Sequence, residues 1–388
     1  MARIEELRIK NYRVLRNIVI KDLHPLTVVL GPNGCGKSTL FDVFGFLSDC
    51  LQTNVRKALE ARGKLVEVRS RGAAGPIEIE VVYREGRKEP KITYHLSIEE
   101  VDGKPIVARE FLKWRRGRRG QPFYFLNFEY GKGYIISGER PEAEDRRIEA
   151  ATDSPDILAI KGFGQLADNP RVASFRRFIE GWFLSYFVPD QARQVPQSGP
   201  MEHLSRTGDN LPNVIQHLSE QYPGVLQHIL GRVAERIPAL ETVTAETTID
   251  GRVALRFKDG PFQDPFLARY VSDGTIKMFA YLVLLNDPDP PPLLCIEEPE
   301  NGLHPRLLTT LAEEFRKHSN QTQTFVSSHS PFFIDAVRPE ELWVMSRNQD
   351  GYAVIERADR VRGVTEFIAE GATLGSLWYE GFLQGGNP

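Results

Sequence analysis

Hydrophobic positions along this chain switch between two periods, and the switches mark its elements. Ile4, Leu7 and Ile9, then Ile18, Val19 and Ile20, predict short strands over 3–10 and 16–21. The apolar, β-branched run Leu26–Leu30 stops at Gly31, as a buried strand feeding a loop does. Leu40, Phe41, Val43, Phe44 and Leu47 then recur at helical spacing, so strand, glycine-rich loop and helix follow in order. Residues 66–136 read mostly as strands. Ile77–Tyr83 and Ile92–Ile98 alternate and flank Gly86, a hairpin pattern. The charged stretch 139–156, with Pro141 and Pro155, reads as a loop or linker. Phe175, Phe178, Ile179, Trp182 and Phe183 restore helical spacing, and so does Leu211–Leu230 after a polar break over 189–210. Residues 243–257 read as a hairpin around Asp250-Gly251. The last third alternates: strand Leu293–Ile296, helix 305–317, strand Thr324–Ser328, helix near 331–337, strand Leu342–Met345. That is the α/β rhythm of a mostly parallel sheet. The expected organisation is an N-terminal lobe over 1–156, a helical lobe over 157–262 and a C-terminal lobe over 263–388.

Composition narrows the class. The chain of 388 residues is 41% hydrophobic and 26% charged, enough apolar material for one large or two ordinary domains. A net charge of −3 supplies no global basic field for nucleic acid, so any such contact must be local. Cys35, Cys50 and Cys295 show no paired spacing, which argues against a disulfide framework or a zinc site and fits a reducing cytosol. The opening residues lack an apolar core for a secretory signal, and no apolar run approaches the ~20 residues needed to span a bilayer. A cytoplasmic protein without membrane contact is expected.

Four short motifs carry the chemistry. Gly31-Pro32-Asn33-Gly34-Cys35-Gly36-Lys37-Ser38-Thr39 fits the P-loop pattern, in the strand-loop-helix context that pattern requires. Glycines let backbone N–H groups close around phosphate oxygens, and the following helix adds the positive end of its dipole. Lys37 is expected to bridge the β- and γ-phosphates, Ser38 to ligate Mg²⁺, and Thr39 to support the phosphates. Leu293–Ile296 ends in Glu297-Glu298. Glu297 is expected to hold the metal, and Glu298 to orient or deprotonate the attacking water. His329 follows the strand Thr324–Ser328, where an imidazole can donate to a γ-phosphate. Ser272-Asp273-Gly274-Thr275 precedes the apolar helix Met278–Leu285 and reads as a second anion-binding helix start or as a plain cap. One γ-phosphate does not need two such sites in one chain, so the second is expected to grip the ATP of another copy.

Together these motifs resemble the ABC-type ATPases of the SMC/RecF/OLD class, in particular compact AAA-family members with an S-D-G-T signature. The resemblance covers 1–50 and 200–345 and leaves the β-rich middle unmatched. It implies an α/β fold: a P-loop NTPase of the ABC-head type with a β-rich N-terminal lobe and an inserted helical lobe. By resemblance Gly31–Thr39 is Walker A, Ser272–Thr275 the signature, Glu297-Glu298 Walker B, Glu300–Pro305 the D-loop and His329 the switch histidine. Glu297 stands where an aspartate is more usual. Asn11-Tyr12-Arg13 looks like the start motif of such heads, which places Arg13 near the nucleotide, and Gln165 is the candidate Q-loop ligand of the metal. The resemblance further implies a head-to-tail homodimer holding two ATPs, with Mg²⁺, between the P-loop of one copy and the signature of the other. OLD-type ATPases often carry or recruit a Toprim nuclease. Only 59 residues follow His329 (388 − 329), so an effector in anti-phage defence is expected on a separate polypeptide. A DNA-repair head of the RecF/SMC kind and the ATP-binding subunit of a membrane transporter are the alternatives. DNA binding finds one local candidate, the basic run Lys113–Arg119 followed by Phe123, Tyr124, Phe125, Phe128 and Tyr130, although the favoured reading is a solvated hairpin tip followed by a core strand.

Overall fold

The computed structural model describes residues 2–86, 88–115, 122–136, 147–166, 168–237 and 240–383. The chain divides into two compact units, Met1–Trp182 with Arg338–Pro388, and Phe183–Val337. They are called the P-loop unit and the carboxylate unit below.

In chain order the P-loop unit begins with strands β1 (Arg3–Tyr12), β2 (Leu15–Lys21) and β3 (Leu26–Leu30). Helices α1 (Lys37–Gln52), α2 (Val55–Glu60) and α3 (Lys64–Val68) follow. Next come β4 (Ile77–Arg84), β5 (Ile92–Val101), β6 (Lys104–Arg115), β7 (Pro122–Glu129), β8 (Lys132–Ile136) and β9 (Arg147–Ala151). Helices α4 (Ala159–Phe163) and α5 (Pro170–Glu180) complete this stretch. An antiparallel sheet in the order β2-β1-β4-β5-β6-β7-β8-β9 dominates the unit. Alternation decides its faces: Ile77, Ile79 and Val81 of β4 are buried while Glu78 and Glu80 are not. Helix α5 lies on the buried side, where Tyr83 stacks on Phe175 and Phe178 at centroid distances of 4.7 and 5.5 Å. Each such ring buries enough surface to contribute roughly 1.5–3 kcal/mol. One buried carboxylate interrupts this apolar layer. Glu110 of β6 is 0% exposed and accepts from the Ala159 and Ile160 N–H groups, at 2.5 and 3.0 Å, and from the Tyr94 hydroxyl at 3.2 Å. It thereby caps α4 from the sheet. Burial pushes its carboxyl up to about 7, against these hydrogen bonds, which favour the charged form.

Strand β10 (Trp182–Ser185) and helices α6 (Pro189–Ala192), α7 (Leu211–Gln221) and α8 (Pro223–Ala234) come next. Strands β11 (Leu240–Thr247), β12 (Val253–Asp259) and β13 (Phe266–Leu267) form a small antiparallel sheet in the carboxylate unit. Helix α9 (Asp273–Leu285), β14 (Leu293–Glu297), α10 (Pro305–His318), β15 (Gln323–Ser328) and α11 (Pro331–Ile334) follow. Strands β14 and β15 pair in parallel, Glu297 opposite Ser327, and their side chains are almost wholly buried, as parallel strands require.

The chain then re-enters the P-loop unit with β16 (Leu342–Arg347), β17 (Ala353–Arg357), α12 (Val364–Ala369) and α13 (Leu374–Tyr379). Strand β16 pairs in parallel with β3, Val344 opposite Leu30, and antiparallel with β17. This pairing is why residues 338–388 belong with the first 182. In the tail, Leu374, Leu377 and Trp378 are buried, and Phe382 meets Phe367 with ring centroids 5.0 Å apart.

Three elements differ from the sequence reading. Residues 147–151, read as linker, form edge strand β9, because β8 offers a free edge that pairs Ile135 with Ile148. The helix through Phe178 ends at Glu180 with Gly181 as its cap, and Trp182 and Phe183 turn extended. The stretch 211–230 breaks at Tyr222, because Pro223 has no N–H to continue α7 and starts α8 at its first position. Of the basic run, residues 116–119 lie outside the described residues, as do all of 139–146; Lys113 sits 4.4 Å from the centroid of its neighbour Phe111.

Candidate functional site

The phosphate loop is built from backbone. All five residues of β3 are buried, and the chain leaves the strand through Gly31. A Cβ there would sit 2.4 Å from the Met345 carbonyl oxygen and 2.6 Å from Cys35 Sγ, so only glycine fits. Gly34 has φ +78° and Gly36 φ +117°, a left-handed backbone that side chains resist. Gly36 caps α1, and a Cβ on it would meet Val14 Cγ2 at 2.8 Å. Lys37 is buried, and its ammonium donates to the Gly31 carbonyl at 2.7 Å and the Pro32 carbonyl at 3.3 Å, arching over the loop. Asn33, Gly34 and Ser38 are exposed, and Thr39 is half-buried. Burial pushes the Cys35 thiol up, with Lys37 nearby opposing, so this cysteine is a small packed residue rather than an activated thiol. The loop fits a triphosphate: Gly34 leaves open the space a Cβ would fill, and a lysine is folded over the loop.

Arg13 is brought to the same helix. Asp42, one turn after Ser38 on α1, accepts from the Tyr12 hydroxyl at 2.7 Å and from Arg62 Nε at 2.8 Å, with Arg13 Nη1 at 3.4 Å. Asn11 and Arg13 have φ of 57° and 48°, which turns the chain sharply at this point. Arg347, at the end of β16, donates from Nε to the Gly34 carbonyl at 2.7 Å. No motif in the sequence announced Arg347, because it lies more than three hundred residues from the loop.

Gln165 does not join this group. It sits on an exposed turn after α4. Lys161, one turn earlier, donates to the Gln52 carbonyl at 3.0 Å and also to that of Thr53, the C-terminal end of α1. Ser38 is at the opposite end of that helix, about 20 Å along its axis. The assignment of Gln165 as a metal ligand beside Ser38 is therefore corrected: α4 is anchored at the wrong end of α1.

The carboxylate unit gathers the other candidates through side chains. Glu297 ends β14 and is half-buried. Glu298, next, has φ 42°, a strained conformation for a residue with a Cβ. Its N–H donates to the Ser327 carbonyl at 3.0 Å, and its Oε2 accepts from Asn301 Nδ2 at 2.9 Å. His329 Nδ1 lies 3.6 Å from Glu298 Oε1 and 3.4 Å from Glu300 Oε1. Glu300 is buried, and its Oε1 accepts from the Ser328 hydroxyl at 2.7 Å and the His329 N–H at 2.8 Å, which fixes the loop carrying the imidazole.

The Ser272–Thr275 loop belongs to the same cluster. Ser272 caps α9, its hydroxyl accepting from the Thr275 N–H at 3.2 Å. Asp273 pairs with Arg193, which also donates to the Val271 carbonyl at 2.8 Å. A Cβ on Gly274 would stand 3.0 Å from the Gly302 carbonyl oxygen, so the start of α9 rests directly on the carboxylate turn. Lys277, 5% exposed, donates to the Asn301 carbonyl at 2.7 Å and lies 3.5 Å from the Glu298 carbonyl. Burial draws its ammonium down to about 8, while Glu300, Glu298 and Asp273 hold it up. Sequence reading missed Lys277, although a lone cation within Ile276–Leu285 is a signal for a buried partner. A cavity of about 520 Å³ opens beside the loop, lined by Ser272, Asp273, Gly274, Gly302 and His304 among others.

Among the described residues no three His, Cys, Asp or Glu side chains converge as a metal cage. Ser38 at the start of α1 and Glu297 at the end of β14 each carry an oxygen of the kind a Mg²⁺ takes beside water and phosphate oxygens. No helix of the described residues is long and apolar enough to cross a membrane.

Comparison with solved structures identifies the architecture. A crystal structure of an SmcHead bound to the C-winged helix domain of ScpA aligns with a TM-score of 0.57 at 13% identity, covering 91% of this chain and 96% of that one. An Smc head domain with an extended coiled coil, bound to the C-terminal domain of ScpA derived from Pyrococcus furiosus, aligns at 0.52 and 13% identity, over 95% and 100%. The fold is thus that of an SMC-head-like, ABC-type P-loop ATPase. Residues 26–335 match the family described as "AAA domain, putative AbiEii toxin, Type IV TA system", and the chain belongs to that family. The match spans the P-loop, the signature loop, the carboxylates and His329. No curated protein matches the chain.

Proposed function

We propose that this protein binds and hydrolyses ATP with Mg²⁺, closes head-to-tail with a second copy when ATP is bound, and gates a separate effector in anti-phage defence. The observation that carries the reading is the seat of Glu298: strained backbone, one carboxylate oxygen on Asn301 and the other facing His329. A strained carboxylate at the end of a buried parallel strand, steered by a histidine, suits the polarising of a water. In this reading Gly31–Thr39 and Lys37 hold the triphosphate, and Ser38 and Glu297 hold the metal. The Ser272–Gly274 loop caps the γ-phosphate of the other copy, and Arg13 contributes near the nucleotide. The γ-phosphate then acts as a removable bridge between copies. The family description, with its AbiEii toxin, supports a place in abortive infection. The effector sought is a Toprim-like nuclease, and the compartment proposed is the cytoplasm.

Lys37→Ala should abolish ATP binding. Glu298→Gln should bind ATP, hydrolyse it about a hundredfold or more slowly, and accumulate as a dimer in light scattering. Wild-type turnover by Glu298→Gln would remove Glu298 from the role of base. Nuclease activity co-purifying with the ATP-trapped dimer supports the effector; stimulation by duplex DNA alone would favour a DNA-repair head.

A further inference from the structure

Between the signature loop and the carboxylate turn lies one buried cation that the proposed chemistry does not use. We propose that Lys277 is a positioning residue: it ties the turn carrying Glu298 to the helix that begins at the signature loop, so that the seat of Glu298 follows the seat of Ser272–Thr275. The inference deepens the ATPase reading and rests on it.

Three contacts carry it. Lys277 sits on α9, five residues after Ser272, and donates to the Asn301 carbonyl at 2.7 Å. Asn301 in turn donates from its side-chain amide to Glu298 Oε2 at 2.9 Å. One residue therefore accepts from the signature helix through its backbone and steers the carboxylate through its side chain. Gly274 touches the next residue of the same turn, since a Cβ on it would lie 3.0 Å from the Gly302 carbonyl oxygen. The turn and the helix start are thus fastened at two adjacent points, one polar and one steric.

A lysine is an expensive choice for this place. Its neighbours Ile276, Met278, Phe279 and Ala280 are all fully buried, and an apolar side chain there would avoid desolvating an ammonium. Its hydrogen-bond acceptors are carbonyls of a turn, not a carboxylate partner, so its function is to hold backbone. The held backbone includes Glu298 with φ 42°, a conformation that persists only when its surroundings enforce it. A shift of the signature loop on closing against a second copy would reach Glu298 through this tie. The occupied signature of one chain is then felt at the catalytic carboxylate of the same chain.

Lys277→Met and Lys277→Arg test it, by amide exchange of residues 298–302 without nucleotide and by steady-state hydrolysis. Lys277→Met should speed exchange of the turn about tenfold. It should also lower kcat about tenfold or more at an ATP KM within about twofold of wild type. Lys277→Arg, which keeps a donor, should recover most of both. Unchanged exchange in Lys277→Met overturns the proposal whatever the turnover shows, and so does wild-type kcat with a loosened turn. If the wild-type protein hydrolyses no ATP above Lys37→Ala, the ATPase reading fails separately, and the exchange rates alone uphold or overturn the tie.

Discussion

In the phosphate loop, Gly31 abuts a carbonyl, Gly34 and Gly36 take left-handed backbone, and Lys37 bonds to carbonyls of its own loop. In the carboxylate cluster, the fixing contacts are made by side chains reaching residues far away in sequence: Arg193 to Asp273, Ser328 to Glu300, Lys277 to the backbone of the turn at Asn301. The first site is a shape taken by one short run of backbone, with Met345 and Arg347 closing on it from far along the chain. The second is a set of positions that distant residues impose on one another. A site of the first kind breaks when a methyl is added; one of the second kind breaks when a partner is removed. Chemistry follows the same division, because a loop of amides binds charge, whereas carboxylates and a histidine move protons.

The largest expected effect comes from Glu110, a fully buried carboxylate that serves backbone in the P-loop unit. Glu110 has a folded pKa of about 7 against an ordinary 4.5. The folded state therefore holds the extra proton between those values. Its stability contribution is full below about 4.5 and is lost as pH rises through about 7, on the order of 3 kcal/mol in all. Thermal melts at pH 5 and pH 8 should show this loss, and Glu110→Gln should shrink the difference between them. An undiminished difference would mean that ionisation elsewhere, including the carboxylate unit, sets the pH response.

Gly31→Ala tests the claim that the loop is held by shape. Its Cβ would lie 2.4 Å from a backbone oxygen that cannot swing away, so a cost of roughly 1–3 kcal/mol and more than tenfold weaker nucleotide binding are expected. At Gly34 a Cβ meets nothing within 4 Å, and Gly34→Ala should cost only the left-handed strain, about 1 kcal/mol. Equal effects of the two, in melts and nucleotide titrations, would refute the steric account. The smallest effect is expected in the other region. Ser272→Ala removes the cap on Thr275 N–H and should cost about 1 kcal/mol in stability. A reduced tendency to dimerise with ATP, beyond that loss, would mark the loop as more than a cap.

Much of the fold was legible because its signals are local. Strand β3, the loop and α1 announce themselves within one unbroken run, residues 26–52, and the parallel strands β14 and β15 read as short apolar runs bounded by turns. Edge strand β9 escaped, since Arg147, Ile148 and Glu149 are exposed and carry no burial pattern. The misplaced Gln165 shows the same limit from the other side: a glutamine at a plausible distance in sequence carries no information about which end of α1 it faces.

The sequence by itself determined the phosphate-loop motif, the order of the motifs and the alternation of strand and helix, because the backbone freedom of glycine and the hydrophobic period are local properties. Only the tertiary structure decided that residues 338–388 return to the P-loop unit, that Arg347 reaches Gly34 and that Lys277 holds the turn of Glu298. Those are matters of which strand finds which partner and which buried donor finds which carbonyl. A chain meets such constraints only when its distant parts are packed together.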